Sequence, residues 1–459
     1  MSKQPSIYAI LFFLVLVFSS CKKQDQFLNA KPDDALAVPT TLNDVESLLR
    51  NESLFNQDDP SLGMATADEY YVPSSVWATQ SEIDRNTYIF AKDIYNNASV
   101  GDWDIPYRQI YNANTALDAL KNITASSNEQ SRYNSIKGTA LFFRSYATYN
   151  LLQTFALPYD SATASTDPGV PLRLSSDLNT KSTRSNLQAC YNQVISDLKN
   201  ALDLLSINSA FKTWPNKVSA NALLARIYLA VRNYDEAFNY SNASLALNNI
   251  LTDFNALPAL TSTSTKISTT LLTEDLFHAA MLSHSIVTGV TTPVVDSSFY
   301  ALFSDNDLRK SFFFTLRSGA IRFRGTYDIA AMRYSGLAND EVYLIRAECE
   351  ARKGNKDAAL TDLNALLSKR WKTGTFTPVQ ASDANDALVK ILLERRKELC
   401  FRGLRWTDIR RLNKEDRFKT TVTHIVNSTT YTLNPNDPKF ALPIPDNEIK
   451  LSGLQQNAR

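Results

Sequence analysis

Glycine is scarce in this chain. It accounts for 12 of 459 residues, about 2.6 %, against about 7 % in an average protein. Folds that place glycine at many tight turns or close backbone approaches, such as collagen, propellers and phosphate-loop enzymes, are disfavoured from the start. Histidine is scarcer still, present only as His278, His284 and His424. These form no H-E-x-x-H motif, and the spacing of His278 and His284 does not put both on one helix face. No G-x-S-x-G, G-x-G-x-x-G or G-K-[S/T] occurs, so there is no nucleophile elbow, dinucleotide fingerprint or phosphate loop. Neither sign of charge dominates: 48 Lys and Arg face 47 Asp and Glu, a formal net charge of +1. That balance excludes a nucleic-acid binder driven by whole-chain electrostatics, and an acidic tail protein. The four cysteines, Cys21, Cys190, Cys349 and Cys400, include no C-x-x-C pair, which removes zinc-ribbon and thioredoxin arrangements. Cys349 and Cys400 fall in helical patterns and read as buried thiols. Spacing leaves open whether any two of Cys190, Cys349 and Cys400 are bridged.

What remains is an ordinary globular composition, 44 % hydrophobic, 21 % charged and 10 % aromatic, long enough for a large core and leaning helical. One segment stands apart. Ile7 to Phe18 is an unbroken run of twelve apolar residues, preceded by Lys3 and followed by Ser19-Ser20-Cys21. A spanning helix takes about twenty residues, so the run reads as a secretory signal. Small residues before a cysteine resemble a bacterial lipoprotein signal, with Phe18 where leucine is usual. On that reading residues 1–20 are removed and Cys21 is lipidated, which anchors the chain to a membrane without spanning it. Lys22-Lys23-Gln24-Asp25 then forms a polar tether.

A short amphipathic pattern at Leu42 to Leu54 precedes a polar, aromatic stretch from Asn56 to Trp103. Helical periodicity returns at Tyr107 and continues, with breaks, to about Leu205. Lys137 to Thr154 carries Phe142, Phe143, Tyr146 and Tyr149 and is apolar nearly all round, as a deeply packed helix must be. In Ser219 to Val231, Leu224, Ile227, Tyr228 and Val231 fall at i, i+3, i+4 and i+7, one helix face. Asn233 to Ala237 then turns into a second helix through Leu247. The plan returns at a shift of 122 residues, where Ala225, Ala237 and Ala243 match Ala347, Ala359 and Ala365. There Asn339 is placed to cap the helix, Asp340 and Glu341 suit its positive end, and Gly354 suits its exit. Leu360, Leu363 and Leu367 line the next helix. This is similar to the tetratricopeptide plan of antiparallel helix pairs. Long insertions, at about 158–185 and 251–338, interrupt it. The second is rich in Ser and Thr, with a β-leaning piece at Ser285 to Val295 and an aromatic-basic stretch from Phe312 to Tyr334. Loops of that length carry function or structure of their own.

From Arg395 to Lys414 there are eight basic residues and two acids, Glu398 and Asp408. Leu388, Leu392 and Leu399 define a buried stripe, with Arg395 between the last two. Glu398 and Arg402 are spaced as an i, i+4 pair. These arginines are expected to tie the C-terminal helices together rather than to bind nucleic acid.

The ordered set of motifs resembles the SusD/RagB family of outer-membrane nutrient-binding lipoproteins. After the cysteine come Phe27-Leu28 and Asp44-Val45-Glu46. Tyr111-Asn112-Ala113-Asn114, Phe143-Arg144-Ser145-Tyr146-Ala147 and Gly169-Val170-Pro171-Leu172 follow. Next are Leu224 to Leu229, Leu344 to Glu348, and the distinctive Leu393 to Leu399 continuing through Gly403 to Arg411. The chain closes on Leu442-Pro443-Ile444-Pro445 and Glu448-Ile449. Arg402 departs from the pattern, which usually has an acid there. The resemblance implies a mainly α fold in which tetratricopeptide-like helix pairs form a scaffold, and long inserted loops and small β elements form the ligand face. One body is expected over 21–459, with an N-terminal segment to about 200, helix pairs interleaved through 101–413, the ligand-face insertion at about 251–338 and a C-terminal segment over 414–459. It also implies a partner, a SusC-type TonB-dependent β-barrel transporter. The protein would sit on the barrel at the exterior face of the outer membrane and pass it a glycan or another nutrient.

Rings with flat apolar faces and polar edges suit the C–H faces of sugars, and nearby Asp, Asn and Arg can hydrogen-bond the hydroxyls. In the stretch from Asp68 to Trp103, the candidates are Asp68, Tyr70, Tyr71 and Trp77; Trp103 reads as core. Within the insertion, which the resemblance places at the ligand face, Arg322, Arg324, Tyr327 and Arg333 are candidates. No catalytic residue, metal site or cofactor is indicated. Asp68-Glu69 and Asp102-Trp103-Asp104 are conceivable glycosidase carboxylates, but their separation across a bond does not follow from sequence. Asp305-Asn306-Asp307 lacks the glycine and glutamate of a calcium loop. Two other readings stand beside the binding lipoprotein: a lipid-anchored glycoside hydrolase, and a helical assembly scaffold without a small ligand.

Overall fold

The computed structural model describes residues 39–459; the signal segment, Cys21, the tether and Phe27-Leu28 lie outside them. Its longer helices are α1 (Leu42–Leu49), α2 (Gly101–Leu120), α3 (Gln130–Phe155), α4 (Leu187–Leu204), α5 (Lys217–Ala230), α6 (Tyr234–Leu247), α7 (Asn339–Arg352), α8 (Lys356–Ser368), α9 (Ala384–Glu398) and α10 (Leu404–Leu412). Local chemistry sets many of their starts. Thr41 with Asp44, and Asn216 with Ser219, form reciprocal capping boxes. Asn186, Asn233 and Asp383 cap α4, α6 and α9 with side-chain oxygens. Each such cap stabilises its helix by about 1 kcal/mol. At α7 the cap position is Ala338, one residue before the expected Asn339. The Asn339 amide instead donates to Asn248 Oδ1 (3.1 Å) and the Ile250 carbonyl (2.8 Å), tying one helix pair to the next.

The fold is mainly α, as expected, and the repeat is real in three dimensions. Helices α5 and α6 map onto the starts of α7 and α8 at the 122-residue shift. Even the turns agree: Arg232 (φ 62°) and Gly354 (φ 90°) are equivalent, and both sit in the left-handed region. Glycine does so freely, whereas an arginine there costs about 1–2 kcal/mol. The pairs pack in series, with α3 between α2 and α4, and α7 against α6, α8 and α9. Helix α3 is buried almost throughout from Gly138 to Phe155. Cys190, Cys349 and Cys400 are buried free thiols.

Short two-stranded ladders stitch the inserted segments to this scaffold. They are β1 (Tyr70–Tyr71) with β5 (Val294–Val295), β2 (Pro168–Pro171) with β3 (Arg184–Asn186), and β4 (Asp275–Phe277) with β8 (Leu337–Ala338). The hairpins β6 (Phe314–Arg317) with β7 (Ala320–Phe323), and β9 (Val422–Val426) with β10 (Thr429–Leu433), complete the set. Strand β4 drives Phe277 into the scaffold core, 4.9 Å from the Phe142 ring and 5.4 Å from Tyr146. The expected β piece at Ser285 to Val295 is a short helix at Ser285–Thr288 and only then a strand.

The arginines of α9 and α10 are engaged inside the protein. Glu398 Oε1 accepts from Arg370 Nε at 2.7 Å and its Oε2 from Arg309 Nη1 at 3.0 Å. Arg370 also holds Glu274, and Arg309 also holds Asp307 and Glu394. Arg395 grips Asp408 at 2.8 Å, and Arg411 makes a fork on Glu348 at 2.6 and 2.7 Å. The expected Glu398–Arg402 pair does not form. Helix α9 ends at Glu398, and the left-handed turn through Phe401 (φ 58°) and Gly403 (φ 75°) carries Arg402 away. Arg402 pairs with Asp340 at 2.5 Å and lies over the rings of Tyr327 and Tyr334.

Removing one partner of a buried ion pair strands the other charge, at about 3–5 kcal/mol. Glu398→Gln strands two. Chemical denaturation of this variant is expected to show a loss of at least that size, and a loss below about 1 kcal/mol would show that the lattice does not carry the fold.

Candidate functional site

Pleating decides which aromatic of Tyr70-Tyr71 faces out, because neighbours on a strand point to opposite sides. Tyr70 turns inward, 3 % exposed, against the rings of Tyr88 and Phe401. Tyr71 turns outward, 48 % exposed, and pairs across the ladder with Val294. The β6–β7 hairpin obeys the same rule. Phe314 and Phe323 are cross-strand partners and bury together, while Thr315 is paired with Arg322 on the other face. Arg322 Nη1 donates to the carbonyls of Thr292 (3.2 Å) and Pro293 (2.8 Å), just before β5. Tyr71 and Arg322 are thereby brought to one rim.

Arg324 and Arg333 join that rim from below. Arg324 donates to the carbonyls of Thr261 and Ser311. Arg333 lies over the Phe323 ring at 4.8 Å and the Phe401 ring at 5.8 Å. Trp77 stands apart, half-buried in a short helix, Ser74–Trp77. Its indole donates to the Arg85 carbonyl at 3.2 Å, with the Arg85 guanidinium over the ring at 6.0 Å. Asp68, Tyr70 and Tyr327 are held in protein contacts. Burial would raise the Asp68 carboxyl, but the Arg405 fork at 2.6 and 2.7 Å outweighs it and holds the group down to about 2. Tyr327 is buried, its hydroxyl donating to Asp340 at 3.1 Å. Trp103 is core: it is buried and meets Phe155 edge-on at 5.0 Å.

Of the acids considered for hydrolysis, Asp104 is exposed and accepts from the Ser99 hydroxyl at 2.6 Å, while Asp68, Glu69 and Asp102 are engaged within the protein. Glu69 is enclosed and accepts from the Phe401 amide, and burial raises its carboxyl to about 8. Asp102 is fully buried and accepts from the Ser61 and Leu62 amides. Arg317, which also lines the rim cleft, is absent from the sequence-derived set. Its signal was present: Ser318-Gly319, a turn with both residues at positive φ, stands between alternating strands and puts Arg317, Arg322 and Arg324 beside one another. Two larger hollows also escaped sequence reading. One, of about 780 Å³, is lined by Tyr107, Tyr111, Arg173 and Leu178; the other, of about 1040 Å³, by Tyr191, Lys199, Tyr228 and Arg232.

Comparison with known proteins decides the family. Residues 26–229 match a SusD-like family described as starch-binding and associating with the outer membrane, and residues 315–459 match the SusD family, SusD/RagB. The chain belongs to the SusD/RagB family. A SusD-like protein P2 of Formosa agariphila is 25 % identical over 387 residues, 69 % of this chain and 74 % of that protein. A SusD superfamily crystal structure from Bacteroides thetaiotaomicron superposes with a TM-score of 0.74 at 22 % identity, over 91 % of this chain and all of that one. A SusD-like carbohydrate-binding protein from Bacteroides vulgatus gives 0.67 at 22 %, over 90 % and 97 %. Among the described residues no helix is long and apolar enough to cross a membrane.

In this SusD-family chain two of the three histidines clamp the insertion that carries the candidate face. His284 bridges Asp84 (3.1 Å) and Asp102 (2.7 Å), joining the insertion to the aromatic stretch and to α2. His278 bridges Asp275 (2.7 Å) and Asp328 (3.0 Å). Burial alone would lower both imidazoles. The two carboxylates around each outweigh it, raising His278 to about 9 and His284 to about 10. His424 differs: it is stacked on Tyr88 at 3.9 Å between two carbonyls, and burial lowers it.

An unfolded histidine titrates near 6.5. The clamps therefore contribute fully below about pH 6.5 and lose their contribution as pH rises through about 9 and 10. The stability difference between wild type and His284→Gln is expected to be largest at pH 6 and to shrink steadily towards pH 10, read by denaturation at each pH. A difference that stays constant would mean that His284 is neutral in the clamp.

Proposed function

We propose that this protein is a cell-surface lipoprotein that captures a glycan and delivers it to a SusC-type TonB-dependent barrel in the outer membrane. The observation that carries this reading is the match of both ends of the chain to the SusD family. The twelve-residue apolar run followed by Ser19-Ser20-Cys21 supports the anchor. The exposed Tyr71 ring beside the Arg322 guanidinium supports glycan binding. The ring offers an apolar face to the C–H side of a pyranose, and guanidinium N–H groups donate to hydroxyls. Trp77 offers a second, half-covered ring on the same N-terminal stretch. The engagement of Asp68, Glu69 and Asp102 with arginine, backbone amide and histidine groups favours binding over hydrolysis.

A glycan array with purified protein is expected to give binding without turnover. Tyr71→Ala should then weaken the best ligand about tenfold, the equivalent of about 1.4 kcal/mol. Unchanged affinity in Tyr71→Ala would remove this face from the binding role, unchanged affinity in Trp77→Ala would remove the Trp77 ring, and glycan cleavage by the purified protein would favour a hydrolase. Cys21→Ala is expected to abolish metabolic lipid labelling and to release the protein from the membrane fraction. Pull-down of the wild-type protein from detergent-solubilised membranes should recover an outer-membrane barrel.

A further inference from the structure

Buried arginines in this protein are mostly answered by carboxylates, as Arg226, Arg309, Arg370, Arg402 and Arg411 are. Arg410 and Arg459 rest on backbone carbonyls, but each stands alone. One cleft is different. Arg317, Arg322, Arg324 and Arg333 line it together, with Ser264 and Thr315 supplying hydroxyls on its wall and no acidic side chain among its described lining residues. Among the described residues Arg317, Arg322 and Arg324 donate only to backbone carbonyls. Arg333 is held by the faces of Phe323 and Phe401. Arg322, Arg324 and Arg333 are 8 %, 8 % and 4 % exposed, and the Nε–H of each is buried without a hydrogen-bond acceptor among the described residues.

Carbonyl dipoles satisfy some of these donors, but they do not cancel four like charges gathered in one place. Taking a cation out of water without a counter-charge is costly, and like charges nearby add to the cost. The strain is visible in the groups themselves: burial lowers Arg333 to about 10, and burial with the Arg317 charge lowers Arg324. An anion entering the cleft would relieve the repulsion and give the guanidinium groups that line it the counter-charge they lack among the described residues. Guanidinium forks match planar carboxylates and tetrahedral oxyanions, with charge-assisted bonds stronger than neutral ones. Size narrows the ligand. The cleft has an interior of about 10 Å³, room for about one water-sized group. It admits one oxygen of a charged substituent while the ring bearing it stays outside, beside the exposed Val290.

We propose that this cleft is an anion subsite of the glycan face, selecting sugars that carry a carboxylate or a sulfate ester. The inference rests on the glycan reading above for its ligand, though not for the anion site itself. Two arms separate them. In the first, thermal unfolding is followed in sodium sulfate and in sodium chloride of equal ionic strength. The wild-type protein should show a saturable excess stabilisation by sulfate that Arg324→Gln and Arg317→Gln each diminish and the double variant abolishes. Arg317 is half-exposed and holds a single carbonyl, so its variant keeps the test alive if Arg324→Gln fails to fold. In the second arm, calorimetry compares galactotetraose, tetragalacturonate and a sulfated κ-carrageenan tetrasaccharide. A preference for either charged ligand over the neutral one of about tenfold or more is expected, collapsing towards unity in the double variant. The carboxylated and sulfated ligands report separately which substituent is selected. Equal sulfate response in wild type and double variant, or glycan binding without preference for charge, would overturn the anion subsite and leave the glycan reading standing. A sulfate response that depends on the arginines, with no glycan of any charge bound on a broad array, would instead overturn the glycan reading.

Discussion

The carboxylate of Glu398 is the point on which this structure turns. It is enclosed, and it holds Arg309 from the long insertion and Arg370 from the end of the last tetratricopeptide-like pair. Those arginines in turn hold Asp307, Glu394 and Glu274. Buried ions are costly to desolvate, and their mutual attraction compensates only when every partner is in place. Such a lattice cannot form piecemeal. The helix pair, the insertion and α9 each supply partners to it, so the stability of each is coupled to the others. Hydrophobic packing supplies most of the driving force, but it tolerates many arrangements. The ion pairs discriminate among them.

This arrangement also explains how the chain accommodates Arg402 inside the protein. A new buried cation would ordinarily be ruinous. Here it reaches Asp340 at 2.5 Å and lies over two tyrosine rings, each near 5 Å. Asp340 stands in the first turn of α7, where the helix end already favours an anion. The same carboxylate accepts from Tyr327. Thus Tyr327, singled out as a ligand candidate, is held within the lattice next to Arg402. Substitution at either position would be felt at the other.

Much of the scaffold was legible because helices advertise themselves locally. The 122-residue repeat needed only apolar spacing and alanines, and the structure extends it to the turn residues Arg232 and Gly354. The face was less legible for a physical reason. Strand β1 is two residues long and its partner lies more than two hundred residues away, so no period could be read and the inward turn of Tyr70 could not be told from the outward turn of Tyr71. The arginines gave a similar lesson. Spacing suggested that Glu398 would meet Arg402, but spacing presumes that the helix continues, and α9 stops at Glu398. The broader expectation, that these arginines tie helices together, depended on burial rather than on one pairing, and the buried pairs of Arg395 and Arg411 meet it.

The near-zero net charge is the last feature to reinterpret. A balance of 48 against 47 suggests a molecule without electrostatic character. The structure shows instead that the balance is unevenly distributed. Asp340, Glu341, Glu348 and Glu398 are sequestered against arginines inside the scaffold, where they neutralise locally and project little field. The four arginines of the β6–β7 cleft are left without such partners among the described residues. Net charge governs solubility and long-range steering, but recognition at contact depends on which charges remain uncompensated and where. In this chain the surplus positive charge at the rim follows from the same principle as the lattice: acids are committed where burial demands them, and the hairpin face receives none.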